Sequence, residues 1–155
     1  FAEDRHGAAP EMKEILSNGG TVLLDRYVYS NIAYQCAKVK NEAEAENLRN
    51  WIFNTEYGNF ELPKPDLNIF LDVPIAFVEQ KLKSSRGGQD REYLEGAQDI
   101  HEADIQFQIH VRDMYLKQTQ ADEGFVRVHC EDAQGRMLPP ADIFANIREQ
   151  VEKLF

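Results

Sequence analysis

What this sequence lacks narrows it first. No Gly-x4-Gly-Lys-[Ser/Thr] stretch occurs among the 155 residues, so no phosphate-cradling loop of that type is built from them, and neither Gly19-Gly20 nor Gly87-Gly88 replaces one. Only two cysteines are present, Cys36 and Cys130, far apart and in no ligand-like spacing, which favours a reduced intracellular protein over a disulfide scaffold. The four histidines, His6, His101, His110 and His129, share no metal spacing and accompany no Ser or Cys nucleophile signature. Basic residues are scarce: 17 Lys and Arg face 27 Asp and Glu, and a net charge of -10 repels both a nucleic-acid backbone and an anionic membrane. No apolar run is long enough to span a bilayer and no leader or lipidation motif is found, so a cytoplasmic protein is expected.

What is present suits an ordinary globular chain. Hydrophobic residues reach 43% without repeats or low-complexity tracts, enough for a real core, and one domain over residues 1–155 is expected. The stretch that organises the chain is Thr21-Val22-Leu23-Leu24-Asp25-Arg26-Tyr27, an apolar run ending in a carboxylate, a guanidinium and a phenol. Preceded by the helix stop Asn18-Gly19-Gly20, it reads as a buried strand whose tip delivers Asp25 and Arg26 to one place.

Around it, residues 2–17 read as a helix that Pro10 kinks or divides. A helix is expected over 28–39, with Ser30 as a candidate cap, and it sets Asn31 and Tyr34 one turn apart on the face of the strand tip. Another amphipathic helix is expected over 43–57, with Leu48, Trp51, Ile52 and Tyr57 on one stripe. Leu62-Pro63-Lys64-Pro65-Asp66 is a stiff connector to a second strand at 67–73, and Pro74 opens the next helix, through Leu82. A helix over 100–116, a third strand at 125–130 and a closing helix over 141–155 complete the pattern. Strands alternating with helices predict an α/β fold with a parallel sheet, although three strands are few for this length.

An acid beside an arginine at a strand tip suits a hydrated cation and an anionic oxygen held together, as phosphoryl transfer requires; a strand-end ion pair is the structural alternative. Arg86 and Arg91 lie on a Ser- and Gly-rich loop, 84–92, that either closes over a transferring phosphoryl group or is a solvated turn. Phe1, Arg5, Asn31 and Tyr34 either wall a planar ligand or belong to a core.

The residues resemble a known family, the thymidylate kinases of the P-loop nucleoside-monophosphate kinase class. The run from Leu24 to Tyr34 is similar to its DRY-x-x-S-x-x-A-[YF] signature, residues 62–67 to its LPxPDL connector, residues 86–92 to its lid, and Phe1 with Arg5 to its F-x-x-x-R helix, bacterial members being nearest in pattern. The resemblance implies a three-layer parallel sheet with helices on both faces and transfer of the γ-phosphoryl of ATP to dTMP, with Mg²⁺, in a homodimer. It implies that Phe1 stacks on thymine, Arg5 and Asn31 meet its edge, and Tyr34 lies under the sugar and favours deoxyribose. Arg26 would hold the monophosphate, Asp25 would lie near Mg²⁺, Arg86 and Arg91 would reach the transferred group, and Gln134 and Gly135 would lie near adenine. The family's P-loop strand belongs beside the strand ending at Asp25, so the fold is expected to be incomplete here, as the C-terminal part of a longer chain. Another nucleotide kinase of the same class and a non-catalytic nucleotide-binding fragment are the alternatives.

Overall fold

A computed structural model describes residues 2–84 and 105–155, without the side chains of 82–84. The chain forms two compact units, Phe1–Pro65 and Asp66–Phe155.

The first unit is helical in its described residues. Helix α1 (Ala2–Ser17) runs through Pro10 unbroken and buries Ala9 and Met12. It stops as the sequence predicts: Gly20 N–H donates to the Ile15 carbonyl at 2.9 Å and Gly19 N–H to that of Leu16 at 3.0 Å, with Gly19 at φ +74°, the paired bonds of a Schellman motif. Helix α2 (Val28–Cys36) follows, buried at Val28, Tyr29, Ser30, Ile32, Ala33 and Cys36, an almost wholly apolar set. Helix α3 (Glu42–Phe53) is capped by Asn41, whose Oδ1 accepts from the N–H groups of Ala43 and Glu44. It then widens into a π-helical turn, Asn54–Asn59, seen in the Phe60 N–H to Thr55 carbonyl bond of 2.9 Å. Tyr27 Oη donates to the Pro63 carbonyl at 3.2 Å and so ties the proline connector to the start of α2.

The second unit holds two parallel strands, β1 (Asn68–Asp72) and β2 (Phe125–His129), in register from Asn68 opposite Phe125 to Asp72 opposite His129. Helices α4 (Ile75–Ser84) and α5 (Ile105–Ala121) lie between them in sequence, and α6 (Pro140–Glu152) closes the chain with proline at its first position. Helix α5 packs on both strands, α6 on β2 and α4 on α5. The core is Val111, Phe125, Val128, Cys130 and Ile143, and Phe70 stacks on Tyr115 with ring centroids 4.6 Å apart. Parallel pairing with helices in the connection bears out the α/β expectation. Both cysteines are buried and free, and no described helix is long and apolar enough to cross a membrane.

Three expectations are corrected. Residues 21–27 form no strand; Leu23 is 94% exposed and Leu24 43%. An apolar run becomes a strand only where a neighbour completes its ladder, and the described strands pair with each other alone. Trp51 leaves the buried stripe of α3 and is 64% exposed, while Ile52 carries the packing. Ser30 does not cap α2: the N-cap position is Tyr27, with no side-chain cap.

Candidate functional site

The first unit brings three parts of the chain to one carboxylate. Glu56 sits in the π-helical turn with 1% of its surface exposed. Arg5, from α1, donates to it through both Nε and Nη2, each at 2.6 Å, and Asn31, from α2, donates through Nδ2 to Oε1 at 2.9 Å. A buried carboxylate is costly unless paired, and here one guanidinium supplies the charge while an amide fills a further lone pair. Arg5 and Asn31 were legible as candidates and are brought together; Glu56, which joins them, was missed. Its position depends on the π-helical turn, and no 3.6-residue periodicity points to it.

Arg26 stands at the head of α2 in the left-handed region, φ 67°, unusual for a side chain with a Cβ. Its Nε donates to Ser30 Oγ at 2.8 Å and its guanidinium lies over the Tyr34 ring, 4.4 Å from the centroid. Residues 26, 30 and 34 are spaced by four, so the first two turns of α2 lay the arginine along one face. Backbone strain at such a point is characteristic of functional sites. Arg26 and the neighbouring Asp25 are both solvent-exposed.

Two tyrosines border the Glu56 cluster. Tyr57 Oη is buried without a hydrogen-bond partner among the described residues. Burial, then the nearby Tyr27 and Glu56, push its phenol far above the ordinary value, so it is a neutral O–H. Burial likewise raises Tyr27, against the lowering effect of Arg5.

The second unit carries an ion-pair cluster that sequence reading did not find. Asp72, at the end of β1 and 2% exposed, accepts from Arg112 Nε at 2.5 Å and Nη2 at 2.9 Å, and from Arg127 Nε at 2.7 Å, with Arg127 Nη2 also paired to it. Burial would raise the Asp72 carboxyl, but hydrogen bonds from Arg112 and then Arg127 outweigh it and hold the group below the ordinary value. Gln134 and Gly135 lie in a tight exposed turn: Asp132 Oδ1 accepts from Gln134 N–H at 2.9 Å, and Gly135 takes φ +74°.

Among the described residues no three His, Cys, Asp or Glu side chains come together as a metal cage. Phe1, Arg86, Arg91 and the predicted lid side chains at 84–92 lie outside the described residues.

A cluster of this kind can hold a polar planar group against Arg5 and Asn31 and an anion against Arg26. Residues 1–136 match the family profile described as thymidylate kinase. The chain belongs to the thymidylate kinase family. It is 34% identical over 108 residues to the thymidylate kinase of Mycobacterium tuberculosis, covering 70% of this chain and 48% of that protein. It is 30% identical over 155 residues to the probable thymidylate kinase of Pyrobaculum aerophilum, covering 99% of this chain and 66% of that one. Over 77 residues it is 38% identical to the Homo sapiens thymidylate kinase, covering 49% of this chain and 32% of the relative. The chain thus spans less than two thirds of the length of each of these thymidylate kinases. The family is one of kinases.

Proposed function

We propose that the protein transfers the γ-phosphoryl of ATP to the phosphate of dTMP, forming dTDP and ADP. One observation supports this above the rest: two polar side chains from different helices are fixed on a buried carboxylate, in the same small unit as an exposed arginine laid along α2. Arg5 and Asn31 meet the thymine edge, and Phe1 stacks on its face. Tyr34 lies under the sugar, where a 2′-hydroxyl would clash. Arg26 grips the monophosphate: its Nε is taken by Ser30, and the Nη edge of the guanidinium remains as a two-pronged donor for phosphate oxygens.

Arg86 and Arg91 neutralise the charge that develops on the transferred group, and Gln134 and Gly135 border adenine. Asp25 is a single exposed carboxylate, a donor that fits a Mg²⁺ ion keeping most of its water and phosphate ligands. The ion supplies charge neutralisation on the ATP phosphates when bound. Catalysis by such a site is positioning and electrostatics, so no general base is required. The protein acts in the cytoplasm as a homodimer, without nucleic-acid or membrane partners.

Phosphoryl transfer from ATP to dTMP, dUMP, dCMP and dGMP tests the reading. The expected result is that dTMP is the preferred acceptor; turnover of dCMP or dGMP with dTMP left untouched would instead indicate another nucleotide kinase of this class.

A further inference from the structure

Glu56 is in no group that the proposed chemistry uses, yet it is among the most deeply buried large side chains in the described residues. A carboxylate offers about four lone-pair positions, and three are filled from two elements: two by Arg5 and one by Asn31. Arg5 is separated from it by 51 residues and Asn31 by 25. The contact therefore locks α1 and α2 to the π-helical turn.

The consequence for the two donors is directional. Arg5 has five N–H groups in a rigid fork, and the Nε and one Nη2 hydrogen are spent on Glu56. Its remaining hydrogens face away from the carboxylate. Asn31 donates its Nδ2 to Glu56, which fixes the orientation of the amide and turns Oδ1 aside as an acceptor. The pair consequently displays a guanidinium donor edge next to an amide acceptor. A pyrimidine with a carbonyl beside a ring N–H, as in thymine or uracil, matches that display. Cytosine, with an amino group beside a bare ring nitrogen, presents donor to donor and acceptor to acceptor. Were the Asn31 amide free to turn over, it would meet the ring nitrogen of either base and leave Arg5 alone to oppose the cytosine amino group.

We propose that Glu56 is a positioning residue that sets base selection, by holding Arg5 and the Asn31 amide in the orientation that accepts a thymine-type edge and rejects a cytosine-type one. This rests on the reading of Arg5 and Asn31 as the base-contacting pair. Glu56 itself touches no substrate. It acts by removing rotamer freedom from two side chains before the nucleotide arrives, and such preorganisation strengthens binding without adding a contact.

The test compares wild type, Glu56→Gln, Glu56→Asp and Arg5→Ala, each checked for folding by circular dichroism, in steady-state kinetics with dTMP and with dCMP. Glu56→Gln keeps the side-chain volume but replaces one acceptor oxygen by a donor: with the NH2 at the Oε1 position two of the three bonds are lost and the Asn31 amide is released, and with it at the Oε2 position the Arg5 Nε bond is lost, so in either orientation one of the two donors loses its hold. The expected result is a KM for dTMP raised roughly ten- to hundredfold, with a dTMP-over-dCMP preference in kcat/KM reduced by a similar factor. The change in kcat is about threefold or less, because the reacting phosphate is held elsewhere. Glu56→Asp keeps the charge, withdraws it by one methylene and falls between the two; if Glu56→Gln does not fold, this variant decides. Wild-type KM and preference in folded Glu56→Gln or Glu56→Asp, with both weakened in Arg5→Ala, would overturn the positioning role and leave Glu56 a structural ion pair. Unchanged values in Arg5→Ala as well would overturn the base-site reading instead.

Discussion

Arg5 grips Glu56 through two parallel hydrogen bonds of 2.6 Å, with Arg5 17% and Glu56 1% exposed at the side chain. Geometry of this sort is the strong form of an ion pair, and its value lies in what happens when one member is removed.

Glu56→Leu alone leaves a guanidinium facing an apolar pocket. It should lower the stability to urea by about 3 kcal/mol, the lower end for a broken buried pair because Arg5 retains some solvent access. The double variant Arg5→Leu/Glu56→Leu should recover at least half of that loss. A double variant no more stable than Glu56→Leu would show that packing, rather than the stranded charge, carries the cost.

Arg26 holds a left-handed backbone conformation that glycine adopts freely. Arg26→Gly should therefore leave thermal stability within a few degrees of wild type, as relief of about 1 kcal/mol of backbone strain offsets the lost contacts to Ser30 and Tyr34. On the proposed role of Arg26 at the monophosphate, turnover of dTMP should fall by roughly 10³ or more with the loss of a two-pronged donor. Steady-state kinetics beside a melting curve separates the two effects.

Asp72 governs an acid limb. Its folded-state carboxyl lies below the ordinary value of 3.8, so the stability it contributes is fully present above that value and is lost as pH falls through the lower, folded-state one. Asp72→Asn should cost about 1–3 kcal/mol at pH 7, Arg112 and Arg127 being partly solvated. The gap from wild type should narrow steadily as pH drops below 3.8. Urea midpoints between pH 7 and pH 2 would show it, and a constant gap would remove Asp72 from the account.

The α1 stop makes a paired prediction. Gly19→Ala puts a Cβ on a residue at φ +74° but meets no atom within 4 Å, so about 1 kcal/mol is lost. In Gly20→Ala the new Cβ would lie 2.7 Å from Ile15 Cγ2 and 2.9 Å from its carbonyl oxygen. That variant should be the worse of the two by calorimetry, since backbone must shift as well as side chain.

Much of the local structure could be read from residues alone, because its causes are local. Asn18-Gly19-Gly20 stops a helix by its own geometry, and the apolar runs expected as strands at 67–73 and 125–130 pair in parallel over 68–72 and 125–129. Residues 21–27 were misread because a strand is not a local object: its apolar pattern is the same with or without a partner to complete the ladder. Glu56 escaped for a similar reason. Its burial follows from a π-helical turn and from donors 51 and 25 residues away, and a lone Glu near the end of an amphipathic helix reads as a solvated one. Asn31 and Tyr34 are candidates in the sequence because a helix sets them one turn apart, and Arg26 because it ends the apolar run; the structure joins Asn31 to Arg5 through Glu56 and lays Arg26 over Tyr34.

The most direct measurement is a side-chain ¹⁵N NMR titration of the protein with dTMP and, separately, with thymidine. Both ligands should shift Arg5 Nε and the Asn31 amide, and only dTMP should shift Arg26 Nε. Shifts at Arg26 with none at Arg5 or Asn31, or no saturable shift at any of the three, would contradict the proposed roles of these residues.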